Sequence, residues 1–182
     1  MGNSGIIRKS GFLLLCVGVF ATLVASPASG YTLLGCRWQS NYLFVDTSAV
    51  SGETQTLVNN AVADFRINTQ VTLYTSDATT SMLRVRLLNS GASGFEGRTI
   101  STCSSSGFFS TTMSELNTYY MTSTVPAAQK QVVWTHELGH ALGAGHTNMG
   151  MANVMFSSAS GAYSAGVRKL MTDDKNAINA IY

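Results

Sequence analysis

The chain has 182 residues, 11 basic and 9 acidic, and only 11% of its residues are charged. A near-neutral balance with no basic cluster gives no electrostatic footprint for nucleic acid or for an anionic membrane surface. The length suits one domain with a real core, and no repeat or long linker divides it.

Residues 1–30 read as a secretory leader. Arg8 and Lys9 stand without an acid, Gly11 to Val24 is nearly unbroken apolar sequence, and Ala25 to Gly30 is small and helix-breaking. The apolar run is short of the roughly 20 residues that span a bilayer, which weighs against an uncleaved anchor. Cys16 follows three leucines rather than a small residue, which weighs against a lipid-modified cysteine. Cleavage is expected after Ala28 or Gly30. Residues 31–182 would then be a single secreted, extracellular domain with no membrane contact and nine basic against nine acidic residues. Cys36 and Cys103 remain, and two cysteines in a secreted chain read as one disulfide. By chain entropy its long loop is worth up to roughly 4 kcal/mol.

Asn41 to Asp46 alternates Leu43 and Val45 against Tyr42 and Phe44, a strand pattern. Ser51 to Arg66 reads as a helix, capped by Ser51, with Glu53 at its positive end and Leu57, Val58, Ala61, Val62 and Phe65 in one apolar stripe. Thr69 to Thr75 and Ser81 to Leu88 read as strands, the second with Leu83, Val85 and Leu87 inward and Arg84 and Arg86 on a solvated face. Asn89 to Gly107 is glycine- and serine-rich loop around a short strand at Gly97 to Thr102, and Phe108 to Asn117 is the last strand. Pro126 opens the next helix. Phe156 to Lys169 reads as a small-residue loop, and Leu170 to Tyr182 as a closing helix capped by Thr172.

The chemistry lies in His136-Glu137-Leu138-Gly139-His140-Ala141-Leu142-Gly143-Ala144-Gly145-His146. On a helix, His136 and His140 leave one face a turn apart, which suits two corners of a tetrahedral zinc site. Gly143 can take the left-handed conformation that ends the helix and turns the chain back, bringing His146 to the third corner. Three protein ligands leave a fourth position for water, the catalytic pattern. Glu137 is placed to act on that water as a general base. The chain's three histidines all lie in this motif.

The extended HExxHxxGxxH motif resembles that of the metzincin zinc peptidases, and the surrounding sequence resembles the matrixins among them. The Arg37-Trp38 step before a strand is similar to the opening of matrixin catalytic domains, and the closing helix has their paired aspartates, isoleucines and final tyrosine. The resemblance implies a compact α+β metzincin fold: a twisted mixed sheet of about five strands, two long helices and a C-terminal helix. It implies a methionine turn beneath the metal, for which Met155 fits best among Met149, Met151 and Met155. It gives Asp173 and Asp174 the tasks of holding that turn and the mature N-terminus. The Gly97 to Thr102 segment takes the place of the edge strand that pairs with substrate backbone. The implied activity is that of a secreted zinc endopeptidase, with one catalytic Zn2+, a protein or peptide substrate and a monomeric state. The histidine count leaves no ligand for a second, structural zinc, and Glu96 as the sole acid between Ala78 and Ser114 argues against calcium sites. Cys36 as a metal-blocking cysteine of the matrixin propeptide kind is a second possibility, without the sequence pattern that surrounds that cysteine. The competing function is a secreted zinc-binding interaction protein that has lost catalysis, which would have no need of Glu137.

Overall fold

The computed structural model describes residues 1, 30–79 and 81–182. The leader read into residues 1–30, with Cys16 and the Ala28 cleavage position, lies outside the described residues apart from its two ends. Among the described residues the chain forms five strands and four helices: β1 Tyr42–Asp46, α1 Gly52–Asn68, β2 Thr72–Ser76, β3 Leu83–Leu88, β4 Gly97–Cys103, β5 Phe109–Asn117, α2 Ala127–Ala141, α3 Ala159–Ser164 and α4 Thr172–Ile181. The strands make one sheet in the order β2-β1-β3-β5-β4. Four of them run parallel, and β4 lies antiparallel to β5 at one edge.

Alternation decides which face of the sheet is covered. Val45, Leu73, Leu83, Val85 and Leu116 point inward and are buried, and α1 and α2 pack over them. The α1 stripe of Leu57, Val58, Ala61, Val62 and Phe65 is buried throughout. Lys130 in the first turn of α2 reaches Glu53 in the first turn of α1, Nζ to Oε2 2.9 Å, and so ties the two helix starts together. On the outer face Tyr42, Phe44 and Tyr74 cluster, and Leu87 on β3, expected inward, is exposed.

Four local expectations are corrected. Ser51 occupies the N-cap of α1, but its side chain makes no capping bond. Met171, not Thr172, is the N-cap of α4. Arg86 is not simply solvated: with Arg98 it pairs with Glu115, which is 1% exposed, in a row across β3, β5 and β4. Finally, the stretch read as loop after Phe156 contains α3. Ser158 caps it by accepting a bond from the Gly161 N–H at 3.0 Å, and Ala159 and Ala162 bury its inner side.

The segment before β1 braces the end of α2. Leu34 N–H donates to the Gly143 carbonyl at 2.9 Å, and Gly145 N–H donates to the Thr32 carbonyl at 2.8 Å. Trp38 Nε1 donates to the Ala141 carbonyl at 2.9 Å, and the Tyr182 hydroxyl donates to that of Leu142 at 3.1 Å. The bonds to Ala141 and Leu142 satisfy carbonyls that a helix terminus leaves without intrahelical partners. A disulfide between Cys36 and Cys103, Cα atoms 6.2 Å apart across 67 residues, fastens the same segment to the end of β4.

Candidate active site

Helix α2 carries His136 and His140 on one face and ends at the Leu142 C-cap. Gly143 follows with φ +104°, and a Cβ there would lie 2.4 Å from the Cys36 carbonyl oxygen, so conformation and space both require glycine. The reversed chain returns His146 to the other two histidines. His140 Nε2 lies 3.1 Å from His136 Nε2 and 3.2 Å from His146 Nε2. Two zinc–nitrogen bonds of about 2.0–2.1 Å at a tetrahedral angle would set their nitrogens about 3.3 Å apart. The triad fits zinc on that measure.

The far ring nitrogens favour the same conclusion. His136 Nδ1 is 2.8 Å from the Val154 carbonyl, and His140 Nδ1 is 2.8 Å from that of Ala144. A carbonyl only accepts, so each Nδ1 carries the proton and each Nε2 presents its lone pair to the triad. Burial first, then the neighbouring imidazoles, lower the His136 pKa to about 3. Burial likewise lowers that of His140. Both rings are held neutral, the form that ligates a metal.

Met155 lies under this centre. It is 2% exposed, and its Sδ would be 2.4 Å from a Cβ placed on Gly139, so the thioether packs directly against α2 between the first two histidines. Met149 and Met151, the other candidates for the turn, are 56% and 51% exposed. Asp174 sits below Met155 and is buried. Its carboxylate accepts the N–H groups of Val154 and Met155 at 2.9 Å and of Met171 at 2.8 Å. Burial raises its pKa, and those three backbone donors oppose the rise. Asp173 accepts from Gly30 N–H at 3.2 Å and from the Thr147 hydroxyl at 2.5 Å, so it links Gly30 to the loop after His146.

Glu137 faces β4 and is 4% exposed. Its Oε2 lies 2.8 Å from the Thr99 hydroxyl. Burial pushes its pKa up to about 8, with the Thr99 bond opposing and the negative charge of Glu96 adding to the rise. A cation at the triad would favour the carboxylate again. The triad and Glu137 share a cleft of about 550 Å³, with Val133, Tyr120 and Ser157 to Ala159 along its wall and β4 along its rim. Glu96 joins rim to wall by accepting the Ser160 N–H at 3.1 Å.

Of the residues expected from the sequence, the three histidines and Glu137 line one cleft, Met155 on Asp174 packs beneath the histidines, and Gly143 makes the turn between His140 and His146. Thr99, Ser114, Thr32, whose hydroxyl donates to the His146 carbonyl, and the carbonyls of Val154 and Ala144 join them without a signal in the sequence. Threonine and serine in strands are ordinary, and a carbonyl has no residue signature, so no spacing singles them out. The Cys36 sulfur is bonded to Cys103, so it does not ligate at the triad.

No curated protein matches the chain. A family model described as Matrixin, of the peptidase family M10, matches residues 110–182, a span that runs from β5 through all three histidines to the C-terminus. The mixed five-stranded sheet and its helices are consistent with a metzincin-like fold. Together with three histidines that could hold a metal ion, the match over residues 110–182 supports a matrixin-type domain, of a family of zinc metallopeptidases.

Proposed function

We propose that residues 31–182 are a secreted zinc endopeptidase that hydrolyses internal peptide bonds of proteins, acting as a monomer after removal of a leader. The observation that carries the reading is the placing of a buried carboxylate, Glu137, in the same cleft as a histidine triad of zinc dimensions. His136, His140 and His146 would hold the ion through Nε2. Bound there, zinc supplies Lewis acidity to the scissile carbonyl and to a water.

The chain's own groups do the rest. The exposed edge of β4 offers unpaired backbone groups to an extended peptide, which fixes its direction and register. Val133 and the wall from Ser157 to Ala159 receive the side chain that follows the cut bond. Glu137 takes a proton from the attacking water and returns it to the leaving amine. Met155, on Asp174, supports α2 from below and so keeps the histidines in register. Among the described residues no helix is long and apolar enough to cross a membrane.

The test is digestion of a protein mixture by the purified domain, with cut sites mapped by mass spectrometry, before and after removal of metal by a chelator. Internal cuts that vanish on chelation and return with zinc support the reading. A zinc-loaded protein that cuts nothing points instead to a catalytically silent zinc-binding protein.

A further inference from the structure

We propose that edge strand β4 positions the general base, with Thr99 anchoring one oxygen of Glu137 and Gly97 leaving the space in which the other is presented to the cleft. The proposal rests on the endopeptidase reading for its consequence, but its geometry stands by itself.

The Thr99 hydroxyl lies 2.8 Å from Glu137 Oε2, 2.8 Å from the Glu137 backbone carbonyl and 3.0 Å from the Ser114 hydroxyl. It has a single proton to give, and a carboxylate can only accept. Ser114 is fully buried on β5, in register with Thr99, and its own hydroxyl is also 3.3 Å from the Glu137 carbonyl. Ser114 can therefore donate to the Glu137 carbonyl or to Thr99 Oγ1, and the Thr99 proton is left for Oε2. The anchor is built on the interior register of the sheet rather than on a mobile side chain.

Gly97 shapes the other side. It lies two residues before Thr99 and on the same face of β4, while Arg98 between them turns outward to Glu115. A Cβ at Gly97 would sit 2.8 Å from Glu137 Cγ, 2.8 Å from Oε1 and 2.8 Å from Val133 Cγ1. Any larger residue would force Glu137 or Val133 to shift. Oε1 forms no hydrogen bond among the described residues, and Glu137 lines the cleft.

Comparison with Asp174 separates this arrangement from a merely structural carboxylate. Asp174 has both oxygens filled, by three backbone N–H groups, as a buried charge with a holding role requires. Glu137 is also buried, yet only one of its oxygens is held. The strand that would pair with substrate backbone is thus also the strand that orients the base, which makes Thr99 a positioning residue.

The test uses Thr99→Val, which keeps the volume and removes the hydroxyl, and Thr99→Ser, which restores it, in the zinc-loaded protein. Thr99→Val should lower kcat about tenfold or more, with KM within about twofold and zinc content unchanged, and Thr99→Ser should recover most of the loss. High-resolution crystal structures give a second readout: in Thr99→Val the Glu137 carboxylate should leave its place beside residue 99, and in Gly97→Ala it should be displaced from the β4 side. A Thr99→Val enzyme with wild-type kcat, a serine variant no better than the valine one, or an unmoved carboxylate would overturn the proposal. If the wild-type protein cuts no peptide, the endopeptidase reading falls, and the carboxylate position in the two variants alone decides the positioning claim.

Discussion

Replacing Asp174 by asparagine tests whether the floor of the metal site is held by charge and geometry or only by packing. Volume is conserved, so no cavity opens. What changes is the acceptor set. Asp174 Oδ2 receives the N–H groups of Val154 and Met171, and Oδ1 receives that of Met155. An amide oxygen can keep the first pair, but the amide nitrogen then faces the Met155 N–H, donor against donor. A buried N–H left without an acceptor costs about 1–3 kcal/mol, and loss of charge weakens the two bonds that survive. Burial raises the Asp174 pKa, so neutralising the group also returns part of a desolvation penalty. The balance is a loss of about 2 kcal/mol, or roughly 4–8 °C in Tm for a domain of this size. The same change loosens Val154, whose carbonyl orients His136, so zinc affinity should fall about tenfold or more. Thermal unfolding and competition with a chelator of known zinc affinity measure the two effects. An Asp174→Asn protein that melts within about a degree of wild type and holds zinc equally well would refute the assignment.

His146→Ala should lose most of the bound zinc by elemental analysis, since two ligands on one helix face remain; full retention would mean that the ion sits elsewhere. Gly143→Ala should destabilise by more than about 2 kcal/mol and weaken zinc binding, because a left-handed φ and a 2.4 Å approach to the Cys36 carbonyl combine there; thermal unfolding with wild-type values would contradict this. Secreted material should show no free thiol when titrated under denaturing, non-reducing conditions, because Cys36 and Cys103 are bonded; two free thiols would contradict it.

The fold was legible where burial imposes a period. The stripe on α1 and the alternation in β1 and the start of β3 follow the 3.6- and 2-residue repeats of elements with one wet face. It was least legible in α3, whose Ser-Gly-Ala sequence has no apolar period and which is held by a serine cap and by Glu96, from 64 residues away. The strand register that sets Glu115 between Arg86 and Arg98 likewise has no trace in local sequence, because it depends on which strands become neighbours. The site divides in the same way. Three histidines at fixed spacing are a chemical signature, and Gly143 is explained by the turn that follows them. Thr99 and Gly97 carry no such signature, because their relation to Glu137 exists only once β4 lies along α2.

The most direct test of the central claim compares the wild-type protein with Glu137→Ala, measuring zinc per chain and peptide cleavage on the same samples. The substitution removes the carboxylate and leaves all three histidines. Both proteins should hold one zinc per chain, and only the wild type should cut. A Glu137→Ala protein that holds its zinc and cleaves at the wild-type rate would contradict the account.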